Sequence, residues 1–209
     1  MNKEIDRHIL DISRTSDVIS SYSDLKAFRQ ADLKAYGINS WRFHYRLTMP
    51  GLYYQRVMRD VEFLYGTKLK FLGRIRHAYL KLLSIVTGIS VPPGVFGRGL
   101  SLPHYGSVVV NDKVRAGRFC RIHSSTNIGE SKGAAPILGD GVYVAPGAVI
   151  FGGIQIGSKS AVGANSVVGK DVPPNCVVAG APANVVSESG IRDVMPQWIL
   201  LEIDNLGGV

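Results

Sequence analysis

Five histidines stand in this chain, and two of them, His104 and His123, fall nineteen residues apart in its second part. Imidazole is the side chain best suited to take a proton near neutral pH, as a hydroxyl must lose one when its oxygen attacks an acyl group. His104 sits at a place where the surrounding pattern is otherwise aliphatic, so a polar ring there serves either as a base or as the cap of an open core. His123 lies one repeat further on, offset by one, and could face the same groove and orient an acceptor, or be a solvated corner residue. A zinc-dependent hydratase would need about three converging ligands, and only these two histidines lie in the repeat. His8, His44 and His77 have no motif around them. Cys120 and Cys176 offer no disulfide framework, which suits a reducing cytoplasm.

The positioning elements are written in a period of six. From Leu138 the steps reach Val144, Ile150, Ile156, Val162 and Val168; from Ile128 they run back through Ile122, Ala116 and Val110 to His104. With 45% of the chain apolar, ten such places would all be apolar by chance roughly 3 times in 10,000, so the period is real. A second row, from Leu102 through Val108, Val114, Cys120 and Thr126 and then from Val142 to Val172, is apolar or small. Such a period suits short strands joined by tight corners, three to a coil of eighteen, around a column of aliphatic side chains. The corners need residues tolerant of positive φ, and Gly117, Gly129, Gly139, Gly157, Gly163 and Gly169 are expected to supply it. Between Ile128 and Leu138 four extra residues must bulge outward, and such insertions often mark a binding face.

Residues 1–90 read as a helical domain, 91–186 as the repeat domain and 187–209 as a cap with a short helix around Trp198. Helices are expected from a cap at Ser23 to Tyr36, from Pro50 to Gly66, and from Thr67 to Val86. The front ninety residues hold 15 Lys and Arg against 8 Asp and Glu, the remainder 9 against 8, so the chain's basic excess lies in front. No acid occurs between Glu62 and Asp112, and the cations from Lys68 to Arg98 read as a solvated face or as a surface for an anionic glycan, nucleotide-sugar or membrane. Neither a signal peptide nor an apolar run long enough to span a bilayer is legible.

The run from Gly99 to Asn111, with Ile128-Gly129, Gly141 to Val144 and Val162 to Pro173, resembles the hexapeptide-repeat acyltransferases. It is most similar to their serine acetyltransferase-related branch, which includes capsule and lipopolysaccharide O-acetyltransferases. The resemblance spans residues 90–186. It implies a mainly β fold, a left-handed parallel β-helix behind a small α-helical N-terminal domain. It also implies a homotrimer with sites between neighbouring subunits, acetyl-CoA as co-substrate, no metal and no nucleic-acid partner. It makes His104 the catalytic base, and acceptor contacts are expected from His123, Asn111 and Tyr105. Coenzyme contacts fall by position to Ala145, Ala164, Gly169, Lys170 and Asn184, although Arg or Lys is common at the last place.

Serine acetyltransferases carry an acid before the catalytic histidine and an Arg-His pair in the extra loop, where this chain has Pro103 and Ala134-Ala135. A free amino acid needs charges for its carboxylate and its ammonium, and a sugar hydroxyl needs neither. The leading expectation is therefore acetyl transfer to a saccharide of surface polysaccharide. The alternatives are serine O-acetylation and, in another class, a non-catalytic β-helix scaffold.

Overall fold

The computed structural model describes residues 18–206, so His8 lies outside it. The second part is a parallel β-solenoid with three flat faces. The first face stacks β1 (Ile89–Ser90), β2 (Val108–Val110), β5 (Thr126–Gly129), β8 (Val149–Phe151) and β11 (Val167–Val168). The second stacks β4 (Arg121–Ile122), β7 (Tyr143–Val144), β10 (Ala161–Val162) and β12 (Val177–Gly180), and closes with the antiparallel β13 (Ala183–Ser187). The third stacks β3 (Arg115–Ala116), β6 (Ile137–Leu138) and β9 (Gln155–Ile156). Strands alternate their side chains, so every second residue enters the column, where Ile122, Ile128, Leu138, Val144, Ile150, Ile156 and Val162 are fully buried. The second row is buried as well, Cys120 among it, and burial pushes that thiol's pKa up to about 12.

The corners correct the expectation about glycine. None of Gly117, Gly129, Gly139, Gly157, Gly163 and Gly169 has a positive φ. The left-handed residue comes two places after four of them, at Phe119, Gly141, Lys159 and Asn165. Three of these glycines answer a different need, the close approach of successive coils: a Cβ on Gly139 would stand 2.6 Å from the backbone nitrogen of Ser158, one on Gly117 2.8 Å from that of Asp140, and one on Gly157 2.3 Å from that of Pro174.

The insertion is where the spacing places it. Asn127 pairs with Val149, twenty-two residues on, whereas Val149 pairs with Val167, eighteen on. The excess forms a tight hairpin with a Ser131–Ala134 bridge, turned through Lys132 and Gly133, both at positive φ.

Three longer elements and one short one make the helical front: α1 (Tyr22–Lys34), α2 (Tyr45–Thr48), α3 (Pro50–Gly66) and α4 (Lys70–Thr87). The first cap is Ser21 rather than Ser23, because Asp24 then falls at the third helical position and completes a reciprocal capping box. The third expected helix starts at Lys70, since Thr67 is extended and ends α3. The turn Tyr45–Thr48 has no sequence signal. A last helix, α5 (Gln197–Leu206), packs Ile199 and Ile203 against Ala161 of the second face, and the Trp198 indole donates to the Ala35 carbonyl at 3.3 Å.

A stack of coils leaves the peptide groups of its first coil without a neighbour, and buried unpaired groups are costly. The helices satisfy them with side chains. The Tyr54 hydroxyl donates to the Val91 carbonyl at 2.9 Å and accepts the Val91 N–H at 3.1 Å. Arg59, fully buried, donates to the carbonyls of Phe96 at 2.9 Å and Gly97 at 2.8 Å, while its charge is met by Asp32 and Glu62. Asp32 in turn accepts the N–H groups of Gly99 and Leu100. The Tyr36 hydroxyl donates to the Leu102 carbonyl at 2.7 Å and accepts its N–H at 2.9 Å. Tyr54, Val57, Met58, Val61 and Leu80 share one continuous apolar cluster with the column.

The outer face of α4 is solvated, with exposed cations, and it carries an apolar stripe as well. Phe71, Ile75, Leu82 and Val86 lie exposed along one stripe, with Lys70, Arg74 and Lys81 flanking it. Among the described residues no helix is long and apolar enough to cross a membrane.

Candidate active site

The edge where the second face turns into the first carries four stacked corners. From the front these hold His104, then His123 to Ser125, Ala145 to Gly147, and Gly163 to Asn165. His104 is not in the interior row. Ser101 bridges Arg121, which sets Leu102 opposite Ile122 inside the column, and the chain then leaves the coil so that His104 and Tyr105 are exposed. An imidazole with no interior partner gains nothing from burial. The anchoring of Leu102 by Tyr36 holds the base of this excursion two residues before His104.

The His104 and His123 rings lie 5.7 Å apart between centroids, and the His123 ring lies 5.1 Å from that of Tyr143. His123 Nε2 is buried with no hydrogen-bond partner among the described residues. Burial first, then the nearby cation of Arg121 and then His104, lower the pKa of His123 to about 4, so it is neutral at physiological pH. Arg121 and Tyr143 stand opposite each other on β4 and β7, and Arg121 Nη1 donates to Ser101 Oγ at 2.9 Å. Arg121, Tyr143 and Tyr36 went unseen in the sequence reading, although strand alternation carries the signal. With Ile122 inside, Arg121 and His123 must leave the chain on the same outer side.

The remaining predicted residues divide between places. Ala145 and Ala164 share the histidine edge. Asn111, Gly169 and Lys170 lie at the opposite end of the first face, on the edge that also carries the inserted hairpin with Ala134 and Ala135. Asn111 there accepts the Lys113 N–H at 2.9 Å, and Phe151 crowds Gly169, where a Cβ would stand 2.9 Å from its ring. Asn184 is exposed on β13 and donates to the Pro182 carbonyl at 3.2 Å. Within one chain the hairpin is therefore not beside His104.

A three-faced solenoid of six-residue steps, with an exposed imidazole at one corner, defines a hexapeptide-repeat acyltransferase. No protein-family model matches the chain. It is 31% identical over 171 residues to the serine acetyltransferase of Mycobacterium tuberculosis, covering 79% of this chain and 72% of that protein. It is 34% identical over 151 residues to that of Synechococcus elongatus, covering 70% of this chain but 61% of the relative's length. Among solved structures, the Neisseria gonorrhoeae serine acetyltransferase superposes with a TM-score of 0.67 at 31% identity, covering 81% of this chain and 68% of that one. The same enzyme in complex with serine matches at 30% identity and a TM-score of 0.67, covering 87% and 75%. The chain belongs to the serine acetyltransferase family.

These relatives overturn the expectation of acetyl transfer to a saccharide of surface polysaccharide. The expectation rested on missing charge at Pro103, Ala134 and Ala135. The structure places an unpredicted cation, Arg121, beside the histidines.

Proposed function

We propose that this chain is a serine O-acetyltransferase that uses acetyl-CoA and employs His104 as general base. The observation that carries this reading is the exposed His104 imidazole beside a neutral His123, on the fold of a family whose named relatives are serine acetyltransferases. His104 takes the proton of the serine hydroxyl as its oxygen attacks the thioester carbonyl. The tetrahedral adduct then collapses, the C–S bond breaks, and the imidazolium returns the proton to the departing thiolate. The products are O-acetylserine and free coenzyme A. His123, being neutral, orients the acceptor without repelling the imidazolium formed on His104.

The division of site residues between two edges supports a homotrimer. If His104, His123, Ala145 and Ala164 of one subunit face the edge with Asn111, Gly169, Lys170 and the hairpin of the next, the site closes between them. Tyr105, 68% exposed beside His104, is then available to the acceptor. We place the enzyme in the cytoplasm, where acetyl-CoA is made, and take the α4 stripe with its flank of Lys70, Arg74 and Lys81 as a surface for peripheral contact with an anionic membrane. The deciding assay is thiol release from acetyl-CoA with millimolar serine: a rate well above the hydrolysis background is expected, and a rate equal to it refutes the reading.

A further inference from the structure

A free amino acid can be held at His104 only if something meets its carboxylate, because a desolvated carboxylate without a partner is costly. Pro103 precedes the histidine and the hairpin offers Ala134 and Ala135, so the charges known from the family's motif are absent. One cation does stand at the histidine pair. Arg121 precedes His123 by two residues on the outer side of β4, lies opposite Tyr143, whose ring is 5.1 Å from that of His123, and sits above Ser101.

The guanidinium of Arg121 is partly buried and has no counter-ion among the described residues. Its one hydrogen bond goes to the neutral Ser101 hydroxyl, and among the described residues no carboxylate lies within ion-pair distance. The titratable groups around it are the hydroxyls of Tyr36 and Tyr143, held in the neutral form by burial, and the neutral His123. In the helical front Arg59 pairs with Asp32 and Glu62, and Arg29 and Arg76 pair with Asp60, while the partly buried Arg56 lies over the Trp41 ring. A cation that loses hydration without gaining a counter-ion lowers stability, and the planar guanidinium has free N–H groups in the arrangement that grips a carboxylate with two parallel bonds.

We propose that Arg121 binds the α-carboxylate of the acceptor serine and so takes the place of the cation missing at Ala134 and Ala135. The inference rests on the serine reading and adds to it the residue that selects an amino acid over a neutral alcohol. Ser101 holds the guanidinium from below, Tyr143 packs beside it, and the hydroxyl end of so small an acceptor then points along the edge toward His104.

The test compares serine with serinamide, which keeps the hydroxyl and amine but has no carboxylate, in the unaltered enzyme, Arg121→Gln and Arg121→Lys. For Arg121→Gln the KM for serine should rise about 30-fold or more, the scale of a lost charge-assisted bidentate contact, while the KM for acetyl-CoA stays within about 2-fold. The preference for serine over serinamide should collapse toward unity, which a purely structural role would not cause. Arg121→Lys should keep a weakened preference, since a point charge cannot form both bonds. If Arg121→Gln fails to fold, the lysine variant decides: a preference reduced several-fold supports the assignment and an unchanged one overturns it. Arg121→Gln with an unaltered KM and preference overturns it while leaving serine as the acceptor. No turnover of serine by the unaltered enzyme removes both.

Discussion

The His104 and His123 rings lie 5.7 Å apart between centroids at neighbouring corners of one edge, His104 exposed and His123 partly covered with its Nε2 buried. The two imidazoles therefore divide the work. His104→Ala should lower kcat by roughly 100- to 10,000-fold, the usual contribution of a positioned general base, with little change in the affinity for acetyl-CoA. Near-normal turnover in steady-state assays would remove His104 from the mechanism.

Because the pKa of His123 is depressed to about 4 in the fold, its unfolded form binds more protons between that value and the usual 6.5. Stability is then fully present above about pH 6.5 and falls as the pH drops toward 4, by about 1–2 kcal/mol once solvent screening at this half-exposed ring is allowed for. Thermal melts between pH 7 and 4 should show a steeper decline in the native protein than in His123→Asn. Parallel curves would contradict the assignment.

Asp32 meets Arg59 and also the N–H groups of Gly99 and Leu100, all of them buried. Asp32→Ala strands these partners and should cost about 3–5 kcal/mol in urea unfolding, as expected for breaking a buried ion pair. Turnover should fall as well, because the coil that leads to His104 loses its anchor.

At Gly157 a Cβ would stand 2.3 Å from the Pro174 nitrogen and 2.6 Å from its Cα. Gly157→Ala should therefore destabilise the protein by about 2 kcal/mol or more, although its φ lies outside the left-handed region. A denaturation midpoint equal to that of the parent would show that the coils can part without penalty.

Light scattering should give the mass of three chains. A fully active monomer would contradict the closure of the site between subunits.

Much of the solenoid is legible in the sequence because the six-residue period belongs to side chains that must be inside. Ile122, Val144 and Val162 declare themselves as a column, and the ten-residue gap from Ile128 to Leu138 declares the hairpin. The same rows hide the excursion at His104. Leu102 and Val108 remain six apart and both buried, so a row count registers no departure between them, while the bridge from Ser101 to Arg121 shows it at once. The acceptor is hidden for a related reason. The family's motif positions carry no charge here, whereas Arg121 lies on a strand, at a place whose meaning depends on which neighbour in space it has.

A stack of parallel coils is in principle an unfinished polymer, since each layer is a template for another. Here growth is blocked at the front on every side, because Tyr54, Arg59, Asp32 and Tyr36 occupy the hydrogen-bonding sites a further layer would use. At the far end β13 runs antiparallel along β12 and closes one of the three faces. The helical front thus acts as a chain terminator. Proteolytic loss of the residues before Gly88 would bare an ordered edge of the column, and the remaining fragment would be prone to elongate into fibres.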